Sequence, residues 1–147
     1  IIEKYPNVYL VYAGDGELGA ELARRKSPHT IMLGRLKYED AIKVIEQSDI
    51  FCLASETEGF PTVVLEAAAC KTFIVTTEGA GGAKELIKDE AFGIVMKDNH
   101  PETIEKALVR ALDEDYRKKA VDKCYSEVKN NYSWKGVAEK IIIENEK

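Results

Sequence analysis

Two carboxylates, Glu58 and Glu66, are the residues of this sequence whose types and spacing most strongly indicate chemistry. They lie in the stretch SETEGFPTVVLEAAAC, residues 55–70, in which Gly59 permits a sharp turn and Pro61 suits the first turn of a helix. The helix that follows is apolar nearly all round, which predicts that it is buried. Because an unpaired buried carboxylate is costly, Glu66 needs a partner or faces a cleft.

Glu58 precedes this helix at the carboxyl end of a predicted strand, where ligands bind in doubly wound α/β folds. The helix carries Glu66 about 7.5 Å along its axis from Pro61. The two carboxylates therefore bracket a helix N-terminus whose free N–H groups suit a phosphate. This arrangement fits a molecule with hydroxyls at both ends and phosphate between them. The alternative is that Glu66 pairs with a buried Arg or Lys and that Glu58 is an ordinary loop acid.

The elements that must position these residues are predicted from short apolar runs alternating with helical stretches. Continuous apolar runs predict strands that are covered on both faces. The alternation predicts an α/β fold, a Rossmann-like parallel sheet with right-handed crossovers and helices on both faces. The predicted strands are residues 9–13, 30–33, 50–54, 73–76 and 93–96. The predicted helices are residues 17–26, 38–47, 62–69 and 83–88, then 101–112, about 116–130, and a last one from Ser133 onward.

Composition limits the classes of function. The 147 residues predict one domain, and 45% hydrophobic with 32% charged residues is ordinary for a globular protein. The net charge is −5 with scattered basic residues, which argues against nucleic acid as a partner. No apolar run is long enough to span a bilayer. Cys52, Cys70 and Cys124 form no CxxC pair and indicate reduced, buried thiols of a cytoplasmic protein. With only His29 and His100 to assist, no metal site is expected.

A glycine motif offers a different function. In VYAGDGELGAELARR, residues 11–25, a strand is followed by Gly14, Gly16 and Gly19 at the G-x-G-x-x-G spacing. This spacing is typical of dinucleotide-binding domains, and it raises the hypothesis of a nicotinamide or flavin oxidoreductase.

The rest of that fingerprint is missing. An acid is required at the tip of the next strand, where this sequence has Gly34, Arg35 and Leu36. Asp15 also places an anionic side chain where a pyrophosphate would approach. We therefore interpret the glycines as a strand-to-helix turn without a nicotinamide cofactor, and no cofactor is expected.

The stretch around the two carboxylates closely resembles the signature of retaining nucleotide-sugar glycosyltransferases of the GT-B fold, family four, in the donor-binding C-terminal domain. Seven residues separate the acids in EGFPTVVLEAAAC, as in that family. The resemblance covers nearly the whole chain in order, with motifs that are similar to VYAGDGE, IMLGRL, SDIFCLASETEGFP, EGAGGAKEL and YSWKGVAEKI.

The resemblance implies roles for individual residues. Glu58, the catalytic candidate, would contact hydroxyls of the transferred sugar near the reacting carbon, and Glu66 would hold the ribose hydroxyls. The diphosphate would be received by backbone N–H groups around Phe60 to Val63. The donor-binding residues of this helix entrance would be Gly59, Phe60, Pro61, Thr62 and Val63, of which Pro61 has no N–H to donate.

Residues earlier and later in the chain also receive implied roles. Gly34, Arg35 and Leu36 would border the base, mostly through backbone groups, and Gly14 belongs to the same donor-binding domain. The pair Gly81 and Gly82 would shape a loop near the donor site, or form only a tight turn before the next helix.

The resemblance further implies that residues 1–147 are the nucleotide-sugar-binding domain of a longer two-domain chain that lacks its first β-α unit here. That unit carries an Arg and a Lys that grip the diphosphate in the family. The partners would be a UDP-, GDP- or ADP-sugar and an N-terminal domain of the same chain, through which such enzymes associate peripherally with membranes. The fragment by itself is expected to bind donor weakly and to turn over nothing.

Alternatives and one departure stay open. A sugar-nucleotide epimerase or phosphorylase of the same two-domain build would bind the same donors. A non-catalytic interaction domain would be favoured by loss of Glu58 or Glu66, and both are present. The family often has Gly-x-Pro after the donor helix, whereas this sequence has Lys71 and Phe73. If Lys71 adopts a left-handed conformation there, it costs about 1 kcal/mol relative to Gly.

Overall fold

The computed structural model of the chain describes residue 1, residues 4–25 and residues 27–132, and all structural statements refer to these. The chain divides into two compact units, residues 1–44 (unit 1) and residues 45 onward (unit 2), and each is described by itself. Within the described ranges, no helix has both the length and the apolar content needed to cross a membrane.

Unit 1 contains a two-stranded parallel sheet. Strand β1 (Leu10–Tyr12) leads to helix α1 (Gly19–Arg25), strand β2 (Thr30–Met32) and most of helix α2 (Tyr38–Glu46). Val11 lies opposite Ile31 across the parallel pair. The prediction that both faces are covered is wrong for β1, whose residues are all exposed. The reason is that no described residue of unit 1 is fully buried, so this unit forms no core against which β1 could pack.

Unit 2 contains a three-stranded parallel sheet in the order β3-β4-β5. Its register places Cys52 opposite Val75, and Val75 opposite Ile94. The elements in chain order are β3 (Ile50–Leu53), α3 (Thr62–Ala69), β4 (Phe73–Thr77), a 3-10 turn (Glu78–Ala80), α4 (Ala83–Leu86), β5 (Ile94–Met96), α5 (Pro101–Ala111) and α6 (Glu114–Asn131).

The central strand β4 organises the core of unit 2, and all five of its residues are buried. Because side chains alternate along a strand, β4 contributes to two separate clusters. Ile74 packs with Val64 of α3 and Leu86 of α4, whereas Phe73 and Val75 pack with Met96 and the alanines of α5. Burying one such large apolar side chain is worth about 1.5–3 kcal/mol. This sheet therefore has helices on both faces, as predicted.

The predicted order of strands and helices is confirmed for the described residues, with differences at the ends. Helix α1 begins at Gly19, two residues later than predicted, and α4 ends at Leu86. The last predicted helix, from Ser133 onward, lies outside the described residues.

The expectation of three buried thiols is wrong for one of them. Cys124 is buried and Cys70 half-buried, but Cys52 is exposed. The reason is that β3 lies at an edge of its sheet, where Cys52 belongs to neither core cluster.

Candidate functional site

Glu58 lies in an exposed loop that connects β3 to α3, at the carboxyl end of the strand as predicted. The hydroxyl of Ser55 donates a hydrogen bond to Glu58 Oε1 at 3.0 Å. The backbone N–H of Glu58 donates to the carbonyl oxygen of Gly79 at 2.8 Å. Both the carboxylate and the backbone of Glu58 are therefore held in place.

The segment that follows β4, residues 78–82, packs directly against this loop. Thr77, the last residue of β4, donates its hydroxyl to the carbonyl oxygen of Ser55. The N–H of Gly82 donates to the carbonyl oxygen of Gly59 at 2.9 Å. The two segments meet because β3 and β4 are parallel neighbours, so that their carboxyl ends lie at the same edge of the sheet.

A third contact comes from the connection after β5. The side-chain amide of Asn99 donates to the carbonyl oxygen of Ala54 at 3.4 Å and to Glu56 Oε1 at 3.3 Å. All three strands of the sheet therefore support the loop that carries Glu58. A loop held from its neighbouring connections can present a carboxylate in a defined position.

Helix α3 begins at Thr62, and Pro61 is its N-cap with φ −73° and ψ 103°. Pro61 thus precedes the first turn, instead of lying in it, because its ψ is extended. The cap makes no side-chain hydrogen bond within the described residues. The N–H of Val64 already donates to the carbonyl oxygen of Pro61 at 3.0 Å, so the first-turn groups that can donate to an anion are those of Thr62 and Val63.

Glu66 is half-buried and lies one turn further along α3. Its neighbours Val64, Ala67 and Ala68 are fully buried, so the prediction of a buried helix is confirmed for this side. The exposed Thr62 leaves the entrance of the helix open.

Burial chiefly raises the pKa of the Cys70 thiol, and the carboxylates of Glu46 and Glu66 raise it further.

The end of α3 confirms the conformation considered for Lys71. Lys71 has φ 59°, in the left-handed region that favours glycine. The N–H of Lys71 donates to the carbonyl oxygen of Ala68 at 3.1 Å, and the N–H of Thr72 donates to the carbonyl oxygen of Ala67 at 3.0 Å. These two bonds form a Schellman motif. The ammonium of Lys71 lies 4.7 Å from the centre of the Tyr125 ring, which offsets part of the backbone cost.

In unit 1, the loops after β1 and β2 are joined to each other. The N–H of Gly14 donates to the carbonyl oxygen of Gly34 at 2.7 Å. Arg35 Nε lies 3.1 Å from Asp15 Oδ2, in an ion pair that is largely exposed. Such a pair contributes about 0–1 kcal/mol. The structure therefore brings Gly14 next to Gly34, and it pairs Asp15 with the residue that follows Gly34.

The predicted site residues thus fall into two groups, each within one unit. Unit 2 holds Glu58, the helix entrance from Gly59 to Val63, and Glu66. Unit 1 holds Gly14 and the segment Gly34, Arg35 and Leu36. Gly81 and Gly82 directly precede α4 and pack on the Glu58 loop, so their position is compatible with both roles considered for them.

Sequence reasoning missed three residues that support Glu58, namely Ser55, Gly79 and Asn99. The glycines of EGAGGAKEL could have indicated a close backbone approach at Gly79. Nothing in the sequence could have indicated Asn99, which contacts a residue 43 positions earlier. Lys84 of α4 forms an ion pair with Glu78, the first residue of the segment after β4, at 3.4 Å.

The chain belongs to a known family. Residues 1–131 match the family described as "Glycosyl transferases group 1". The chain is 29% identical over 147 residues to the phosphatidylinositol N-acetylglucosaminyltransferase gpi3 subunit of Schizosaccharomyces pombe, covering 95% of this chain and 31% of that protein. It is 28% identical to a GDP-mannose-dependent monoacylated alpha-(1-6)-phosphatidylinositol monomannoside mannosyltransferase of Corynebacterium glutamicum, covering 99% and 41%. The chain thus spans about a third of the length of such relatives.

Solved structures agree in fold. The C-terminal domain of a glycosyl transferase group 1 family protein (LpcC) of Francisella tularensis superposes with a TM-score of 0.81, at 24% identity, covering 90% of this chain and 74% of that one. The HepE protein of Anabaena in complex with UDP-glucose superposes with a TM-score of 0.79, at 18% identity, covering 96% and 41%. The Rossmann-like α/β fold of a GT-B C-terminal domain is therefore shown.

Proposed function

We propose that this chain is the donor-binding part of a retaining glycosyltransferase, and that it binds a sugar linked to a nucleoside diphosphate. The longer protein would transfer the sugar to an acceptor with retention at the anomeric carbon. The observation that carries the proposal is the placement of Glu58 and Glu66 on either side of the α3 N-terminus, at the carboxyl edge of a parallel sheet.

Each part of this segment has a distinct task in the proposal. Glu58 accepts hydrogen bonds from hydroxyls of the transferred sugar, and Glu66 accepts them from the ribose hydroxyls. The N–H groups of Gly59, Phe60, Thr62 and Val63 receive the diphosphate, and Pro61 between them has no N–H. The partial positive charge of the helix N-terminus stabilises the negative charge that develops on the departing diphosphate.

For unit 1, we propose that Gly34, Arg35 and Leu36 border the base, and that Gly14 supports this segment through its bond to Gly34. The Corynebacterium relative is named for GDP-mannose, and the HepE structure contains UDP-glucose. Those names support a nucleoside diphosphate sugar as the ligand class. The named relatives act on phosphatidylinositol lipids, which supports a role in glycolipid biosynthesis.

The test is a two-dimensional NMR titration of the 147-residue chain with UDP-glucose, GDP-mannose and ADP-glucose, and with NAD as the contrast. We expect one of the sugar nucleotides to shift the amide signals of Gly59, Phe60, Thr62 and Val63 and those of residues near Gly34. The base that gives the tightest binding then identifies the donor class.

Glu66→Ala is the binding-deficient variant, and Glu102→Gln, an exposed glutamate on α5, is the control. Loss of a charged hydrogen-bond partner predicts donor binding at least about tenfold weaker for Glu66→Ala only. Shifts restricted to the Gly14–Gly19 turn with NAD, and none with the sugars, would show that the proposed function is wrong. Equal affinity of both variants for the sugar nucleotide would show that Glu66 is not part of the binding site.

A further inference from the structure

We propose that Gly82 is a positioning residue, which holds the Glu58 loop in its working position through the ring of Phe60. The proposal rests on the proposed function for its purpose, because it concerns how the donor site is shaped. Its physical basis is the close packing of the segment after β4 against the Glu58 loop.

Three glycines of that segment have no room for a side chain. A Cβ atom on Gly79 would overlap the backbone carbonyl of Glu56, and a Cβ atom on Gly81 would overlap the carbonyl oxygens of Glu58 and Gly59. The other described glycines have open space at this position, except Gly93 and Gly82. The backbone of the Glu58 loop is therefore fitted directly onto a surface formed by glycine backbone.

Gly82 differs from the other two because its neighbour is a side chain. A Cβ atom on Gly82 would overlap the Phe60 ring, with Phe60 Cδ2 nearest, Cε2 at 2.9 Å and Cγ at 3.0 Å. The Phe60 ring, which is 37% exposed, also lies 6.2 Å, centre to centre, from the ring of Tyr132. Tyr132 packs against the larger core cluster. The ring of Phe60 is thus close both to Gly82 and to a residue packed against the core.

Phe60 immediately precedes Pro61, the N-cap of α3, and lies two residues after Glu58. A displacement of its ring would therefore move both the proposed sugar-binding carboxylate and the diphosphate-binding N–H groups. Two backbone bonds report on this arrangement, one from Glu58 to Gly79 and one from Gly82 to Gly59. The hydrogen-exchange rates of these two amide protons can be measured without a bound sugar nucleotide.

The experiment is a double-mutant cycle with Gly82→Ala and Phe60→Ala in the 147-residue chain. Phe60→Ala removes the ring atoms that the new Cβ would meet. Overpacking by one methyl predicts that Gly82→Ala speeds hydrogen exchange of the Glu58 amide by about tenfold or more, and weakens donor binding by a similar factor. In the Phe60→Ala background, the same Gly82→Ala change should alter exchange by less than about threefold.

Gly93→Ala is the control for a purely structural effect. Its Cβ would lie 2.7 Å from the carbonyl oxygen of Ile74, beside the beginning of β5 and away from the Glu58 loop. Gly93→Ala should lower the free energy of global unfolding. The Glu58 amide should then exchange no faster than this loss of global stability accounts for.

The outcomes separate the two proposals. If Gly82→Ala has the same effect with and without the Phe60 ring, the positioning role is wrong. If NAD shifts the Gly14–Gly19 signals and no sugar nucleotide shifts any signal, but the exchange cycle shows the expected coupling, the proposed function is wrong while the positioning of Glu58 by Gly82 stands.

Discussion

The backbone N–H of Glu58 donates a hydrogen bond to the carbonyl oxygen of Gly79, so the carboxylate loop after β3 is attached to the segment after β4. The two residues are 21 positions apart in the sequence, and the bond is 2.8 Å long. Because the segment after β4 has no side chains at Gly79, Gly81 and Gly82, the two backbones can approach this closely.

Replacing Ser55 by Ala removes the hydroxyl that donates to Glu58 Oε1 at 3.0 Å. The contact is exposed, so we expect a change of less than about 0.5 kcal/mol in the free energy of unfolding. Without this bond the carboxylate samples more rotamers, and we expect sugar-nucleotide affinity to fall about three- to tenfold. Calorimetric titration of the 147-residue chain measures this.

The matched control is Ser126→Ala, which removes an exposed hydroxyl that donates to the backbone of Asp122 in α6. It should leave the affinity unchanged. Equal affinities for Ser55→Ala and the wild type would show that the Ser55 bond does not orient Glu58 in the complex.

Lys71 stands in the left-handed position of a Schellman motif, with φ 59°. We expect Lys71→Gly to be more stable than Lys71→Ala by about 1 kcal/mol, because glycine adopts this conformation without steric cost. Both variants lose the contact with the Tyr125 ring, so their difference isolates the backbone effect. Urea unfolding at neutral pH measures it, and equal midpoints for the two variants would contradict a strained Lys71.

Glu90 and Arg110 form a bidentate ion pair, in which Arg110 Nη1 and Nη2 each donate to one carboxylate oxygen of Glu90 at 2.6 Å. The hydrogen bonds from Arg110 hold the pKa of the Glu90 carboxyl below its ordinary value. A lowered carboxyl pKa stabilises the fold above the unfolded pKa, and this contribution is lost as the pH falls through the folded value. We therefore expect Glu90→Gln to be less stable than the wild type at pH 7.

The same two proteins should approach equal stability as the pH falls and Glu90 becomes protonated. Thermal unfolding across the range from pH 7 to about pH 3 tests this, since unfolded glutamate titrates near pH 4.3. A stability difference that is the same at both ends of the range would show that charge on Glu90 is not its cause.

Cys124 is buried in α6 against the larger core cluster. Burial raises the pKa of its thiol to about 12, with a smaller contribution from the carboxylate of Glu127. A raised pKa favours the neutral thiol in the fold, so the contribution is present below the unfolded pKa and is lost as the pH rises towards 12. At pH 8 we expect iodoacetamide to modify Cys124 only after unfolding in urea. The side chain of Cys52 is exposed, but desolvation also raises the pKa of its thiol, so we expect Cys52 to react in the native protein faster than Cys124 and more slowly than in the unfolded chain.

Peptide mapping by mass spectrometry distinguishes the two thiols. Modification of Cys124 in the native protein at the rate seen for Cys52 would contradict its burial.

The sequence by itself determined the order and type of the elements and the place of the two carboxylates. Apolar runs of four or five residues predict strands, and helical spacing predicts helices, because both patterns depend on near neighbours along the chain. The same local logic placed Glu58 after β3 and Glu66 on α3, whereas the family resemblance pointed to the conformational cost at Lys71.

Only the tertiary structure decided which segments support Glu58. The bonds from Glu58 to Gly79 and from Asn99 to Glu56 join residues 21 and 43 positions apart, and no local pattern specifies them. The exposure of β1 and of Cys52 was decided in the same way, because burial depends on what packs against a strand and not on its own apolar residues. Periodicity shows which residues prefer to be covered, but packing between distant segments determines which of them are.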